Sequence, residues 1–127
     1  MFIELWIKNK LASVNANVFP LKVPANVGDL PVISYVATAK DREDLLDSSK
    51  GSEWVVTATF EFDIFSLDIE EALTLADEVR VALDKEYDEA NKVDSVHIVG
   101  ESQNYFEVPE AGIKSVYHII QTYTVQY

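Results

Sequence analysis

The sequence predicts one α+β domain in which two helices pack against a mainly antiparallel sheet of four to five strands. Three observations carry that prediction. A run from Val56 to Ile64 alternates strictly between apolar and polar residues. A segment from Ile69 to Tyr87 repeats its apolar residues at helical spacing. A final run, Ile113 to Gln126, is again β-patterned. The length of 127 residues fits a single domain, 1–127, and suffices for a core without cysteine cross-links, of which the chain has none.

The elements follow in order. Within 2–15, Ile3, Ile7, Leu11 and Val14 recur at helical spacing, with Leu5 and Trp6 widening the stripe, so a first helix is expected. Pro20 and Pro24 forbid its continuation, and 18–23 reads as a short extended piece before a turn cluster at 24–29. Val32 to Ala39 is β-branched and reads as a strand. The strand at 54–65 has Val56, Ala58, Phe60, Phe62 and Ile64 on one face and Thr57, Thr59, Glu61 and Asp63 on the other. Asp68, with Glu71 three residues on, has capping-box spacing and marks the start of the second helix. On that helix Ile69, Ala72, Leu73, Leu75, Ala76, Val79, Ala82, Leu83 and Tyr87 share one half of the cylinder, a face broad enough to lie on a sheet. Val93 to Gly100 reads as a strand, Glu101 to Gly112 as a loop. The last strand places Tyr117, Ile119, Tyr123 and Val125 on one face and His118, Thr122, Thr124 and Gln126 on the other.

Charge narrows the function classes. Twenty-two acids against ten bases give a net charge of −12. A binder of nucleic acid must neutralise phosphates, so specific nucleic-acid binding is not expected. An acidic surface that stands beside DNA repels it and prevents adhesion. No apolar run approaches the ~20 residues of a membrane span, and the N-terminus lacks the features of a secretory signal. Neither a membrane nor export is therefore expected.

Few residues suggest chemistry. Four glycines without phosphate-loop spacing exclude a nucleotide cradle of that kind. The two histidines, His97 and His118, fall in predicted strands; with a carboxylate such as Glu101 they form at most a weak metal pattern. Asp63, Asp68, Glu70 and Glu71 cluster where strand gives way to helix. They read as a cap and a response to the helix dipole, or alternatively as the acid/base pair of a small carboxylate-dependent hydrolase. The expectation is no enzyme, no cofactor and no metal.

Features suited to contact stand out instead. The connection from Lys40 to Glu53 exceeds what a hairpin needs and reads as a functional arm or a disordered segment, with Arg42, Leu45, Leu46 and Lys50 as its candidate contact residues. Tyr105 and Phe106 are large aromatics in a predicted loop, either a contact surface or a lid on the core. Val81 stands in the middle of the polar helix face. Glu70, Asp77 and Asp84 form an acidic column on that face, a solvated surface or the lining of a lumen, and the column also motivates an acidic protein that mimics DNA. If the 69–87 helix returns the chain along the 54–65 strand, the 93–100 strand lies beside that strand in parallel. The two long connections then emerge at opposite ends of the sheet.

Four stretches resemble the tail-completion, or tail-terminator, proteins of long-tailed bacteriophages, which join the tail to the head. They are the first helix leading into Asn17-Val-Phe-Pro20, the segment Leu30-Pro-Val-Ile-Ser-Tyr35, the strand Phe60-Glu-Phe-Asp-Ile-Phe-Ser66, and the helix bearing Ala72, Ala76, Val79 and Leu83. The acidic loop before the last strand departs from that family's usual arginine-rich or polar one. The resemblance implies a structural phage or prophage protein, monomeric before assembly in some members. Its copies would form a hexameric ring that contacts the tail-tube protein and the head connector protein. It would be found in the host cytoplasm during assembly and then in the neck of the virion tail.

Overall fold

The computed structural model describes residues 2–14, 17–20, 30–44, 54–108 and 114–127. Its elements are α1 (Ile3–Lys10), β1 (Asn17–Pro20), β2 (Val32–Asp44), β3 (Trp54–Ser66), α2 (Ile69–Leu83), β4 (Ser95–Val108) and β5 (Lys114–Gln126). The strands form one sheet in the order β1-β2-β3-β5-β4. Only β1 pairs in parallel, with β2; β2–β3, β3–β5 and β5–β4 are antiparallel. The α+β prediction holds.

Period two explains β3 directly. Ala58, Phe60, Phe62 and Ile64 are completely buried on the face that the helices cover. Register places Ile33 and Tyr35 of β2 and Ile119, Tyr123 and Val125 of β5 on that same face. Tyr35 stacks on Phe62 at 5.4 Å, and Phe62 meets Tyr123 edge-on at 5.2 Å, so an aromatic row crosses three strands. From α2 come Ala72, Leu75, Ala76, Val79 and Leu83; from α1 and its following turn come Ile3, Trp6, Ile7, Leu11 and Val14. Leu5, expected in the α1 stripe, is exposed instead, as are Leu73 and Tyr87 of the proposed α2 face. The α2 stripe is narrower than the sequence suggests, and the helix ends at Leu83 rather than Tyr87. Beyond it the chain turns through Lys85 and Lys92, both with left-handed backbone, φ 63° and 60°.

The start of α2 is built as its sequence implies. The Asp68 carboxylate accepts the Glu70 N–H at 3.1 Å. The Glu71 carboxylate does not reach back to the cap; it accepts the Ser66 hydroxyl at 2.6 Å, while Ser66 Oγ accepts the Asp68 N–H at 3.1 Å.

Three expectations about the strands are corrected. The strand beginning at Val32 continues through Lys40 to Asp44, paired with Trp54 to Ala58. The connecting arm is therefore shorter than predicted, and its central part lies outside the described residues. The segment 101–108 is not a loop but the second half of β4, paired along its length with β5. β4 does run in the same direction as β3, but β5 lies between them. The hairpin connections nevertheless emerge at opposite ends of the sheet, as expected. Asp44 and Trp54 overhang the end where β5 finishes, and Val108 and Lys114 overhang the end where β3 finishes.

Candidate functional site

The exposed aromatics sit at one end of the sheet. Tyr105 and Phe106 are consecutive residues of β4, so they project from opposite faces. Tyr105 is 66% exposed and lies against Tyr117, with ring centroids 6.4 Å apart; Phe106 is 43% exposed and meets Phe65 edge-on at 6.4 Å. Neither folds back as a lid. β5 holds both near the overhanging end of the β4–β5 hairpin, Tyr105 level with Ser66, the last residue of β3, and Phe106 one position beyond it.

The sheet face opposite the helices carries a polar cluster next to Phe106. His118 stacks on Phe65 at 4.4 Å, and its Nε2 lies 2.6 Å from Asp63 Oδ1. Burial, reinforced by the neighbouring Asp63 carboxylate, raises the pKa of Glu61, and His118 opposes that rise. Asp63 thus has a structural partner that sequence reading did not supply. His97 and His118 do not share a ligand site. Their β5 register positions, Thr124 and residue 118 itself, are roughly 20 Å apart along the strand. No group of three or more His, Asp or Glu among the described residues is arranged to hold a metal ion.

The remaining acids of the hydrolase pattern are dispersed in role. Asp68 caps α2 and Glu71 binds Ser66, as described. Asp68, Glu70 and Glu71 line an open depression of about 310 Å³ with Thr74 and Glu78, and Asp63 does not contribute to it.

The acidic column on α2 is only partly a free surface. Arg80 binds Asp77 and reaches Glu101 of β4 at 2.8 Å. Burial works against the Arg80 cation, but Glu101 and Asp77 outweigh it and raise its pKa. Asp84 turns onto the sheet, where its carboxylate accepts the Ile98 N–H at 3.0 Å. That bond gives Asp84 a structural role that the sequence reading did not assign. Glu70 is exposed. Val81 is 80% exposed on the rim of a depression of about 360 Å³ that Val14, Thr74 and Ala82 also line. Arg42 is exposed on β2, opposite Val56 in register, and makes no ion pair among the described residues. Leu45, Leu46 and Lys50 lie outside the described residues.

Two residues missed in the sequence pin the elements that present these surfaces. Gln121 is completely buried on β5. Its Nε2 donates to the Ala76 carbonyl of α2 at 3.0 Å and to Glu101 Oε1 of β4 at 2.8 Å, and its Oε1 accepts the Tyr123 hydroxyl at 3.2 Å. The signal was available, since position 121 shares parity with Ile119 and Tyr123. Asp88, in the turn after α2, accepts the Trp6 indole N–H at 2.9 Å. Hydrogen bonds from the Asn91 side chain, then from Trp6, hold its carboxyl down at about 2.

Comparison with known proteins adds little to this geometry. No family model matches the chain, and no curated protein matches it. Among solved structures, it is similar to a chain of the "Virion of native gene transfer agent (GTA) particle" at 12% identity and a TM-score of 0.45. The match covers 95% of this chain and 84% of that one. A likeness of that size carries no argument about what this chain does.

Proposed function

We propose that this protein is a structural subunit of a phage or prophage particle, completing the tail and joining the tail tube to the head connector. It would act as a ring of identical copies, hexameric in the particle. The observation that supports this best is the placement of contact elements at opposite ends of one sheet. The β2–β3 hairpin overhangs one end and the β4–β5 hairpin, with exposed Tyr105 and Phe106, overhangs the other. A subunit held between two different neighbours needs surfaces of that kind. The sequence resemblance supports the same reading, and so does a net charge of −12, which disfavours adhesion to DNA passing nearby.

In this reading the protein performs no covalent chemistry. Its titratable side chains bear on the architecture: Asp68 caps, Asp84 accepts from β4, Asp88 holds α1, and Asp63 pairs with His118. The DNA-mimic alternative needs a row of free carboxylates, and the engagement of Asp77 by Arg80 and of Asp84 by Ile98 counts against it.

Electron microscopy of particles produced with and without this chain tests the proposal. Loss of the chain is expected to yield filled heads and separate tails. Normally joined particles in its absence would refute it.

A further inference from the structure

β4 is a sheet-edge strand, and its two halves are treated differently. In the first half, two of the outward backbone groups are already occupied. The Val96 carbonyl accepts the Lys85 N–H at 2.7 Å, and the Ile98 N–H is taken by Asp84. The turn that closes α2 therefore blunts that part of the edge. A bulge between Ile98 and Gly100 then shifts the register.

Beyond the bulge the edge is open. Val56 and Tyr127 exchange both backbone bonds, so odd-numbered β5 residues bond to β3 and even-numbered ones to β4. Their β4 partners are Gly100, Ser102, Asn104 and Phe106. Glu101, Gln103, Tyr105 and Glu107 consequently direct their N–H and C=O groups away from the sheet. Only the Tyr105 N–H finds a partner among the described residues, its neighbour Asn104. Every residue from Val99 to Glu107 is exposed, and the segment contains no proline, lysine or arginine, the residues that usually protect such an edge.

We infer that residues 101–107 accept an added β-strand from a different polypeptide, an extended segment bearing lysine or arginine on the face of Tyr105 and Glu107 and apolar residues on the face of Phe106. The inference stands on the strand geometry and does not depend on the tail-completion reading.

Charge selects this occupant. From Val93 to Ile113 the chain has four acids, Asp94, Glu101, Glu107 and Glu110, and no lysine or arginine. Among the described residues Glu107 has no ion pair. A second copy paired antiparallel along all of 101–107 would centre on Asn104. That register sets Glu101 of each copy directly across from Glu107 of the other, a like-charge contact made twice. A strand whose basic face meets Glu107 converts that contact into an attraction and lays its lysine stems along Tyr105, while its apolar face meets Phe106.

The test uses the full chain, labelled with ¹⁵N, and a blocked nine-residue peptide of alternating valine and lysine, with a valine–glutamate peptide as its counterpart. The lysine peptide is expected to slow hydrogen exchange at the Glu101, Gln103 and Glu107 amides about tenfold or more, with Ser102 and Asn104 unchanged. The glutamate peptide is expected to bind about tenfold more weakly or worse. Gln103→Pro removes an outward N–H that bonds nothing described, so binding should be lost while the melting temperature is kept. Should that variant fail to fold, a lysine peptide methylated at alternate backbone nitrogens replaces it and should not bind. Equal binding of both peptides, protection outside 101–107, protection that grows with protein concentration alone, or no slowing at millimolar lysine peptide would each overturn the inference.

Discussion

Replacing Gln121 with leucine should destabilise the fold far more than its near-equal volume suggests. The side chain is completely buried and uses both amide hydrogens and its oxygen, linking α2, β4 and β5 at one point. Leucine removes all three bonds. Glu101 keeps Arg80, and the Ala76 carbonyl keeps its place in the helix, so the heaviest loss falls on the buried Tyr123 hydroxyl. An unpartnered buried hydroxyl costs about 1–3 kcal/mol, and the lost bond to a charged group adds about 1.5 kcal/mol, offset in part by leucine's own burial. The net is about 2–4 kcal/mol, a fall in melting temperature on the order of 10 °C for a chain of this size. Urea denaturation should show a lower midpoint with an unchanged slope. Adding Tyr123→Phe removes the stranded hydroxyl, so the double variant should be more stable than the sum of the two single changes by about 1–2 kcal/mol. A cost under about 0.5 kcal/mol for Gln121→Leu, or strict additivity in the cycle, would refute the role given to this network.

Four further outcomes follow from the same structure. Asp68→Ala should cost about 1 kcal/mol in urea denaturation through loss of the α2 cap. Asp84→Ala should cost about 1–2 kcal/mol by the same measurement and should speed exchange of the Ile98 amide, whose acceptor it removes. Asp88 has a folded-state pKa of about 2 against an ordinary 3.8, so its contribution is present above 3.8 and is lost as pH falls through that interval. Stability followed by Trp6 fluorescence should decline there in the parent and less steeply in Asp88→Asn. Tyr105→Asp together with Phe106→Asp should cost about 1–2 kcal/mol in thermal denaturation, mostly through Phe106, which is more than half covered and meets Phe65, yet should leave the chain folded and abolish head–tail joining in particles.

How much of this was legible in the sequence varied with how local its cause was. β3 could be read almost residue by residue, because a strand buried on one face must alternate. The α2 start followed from Asp68, whose short carboxylate reaches its own helix. The extended hairpins could not be read this way. Lys40 to Arg42 and Glu101 to Asn104 are polar and exposed on both faces, and composition alone does not separate such a strand from a loop. What makes them strands is pairing with Trp54 to Ala58 and with β5, a non-local fact. The position of β5 between β3 and β4 was likewise invisible to periodicity. Among the contact candidates, Val81 and Arg42 are exposed, and Tyr105 and Phe106, left open between a contact surface and a lid, are exposed too. Asp84 and Gln121 acquired their roles from groups far along the chain, which residue type does not announce. In both, a polar side chain is spent on a buried backbone or hydroxyl partner brought there by packing.

The most direct test of the account mixes the purified protein with assembled tail-tube protein and views the tubes by electron microscopy. The account predicts a ring of this protein at one end of each tube, and loss of that ring when Tyr105 and Phe106 are both replaced by aspartate. Tubes that stay bare at both ends across a wide concentration range, with the protein remaining monomeric, would contradict it.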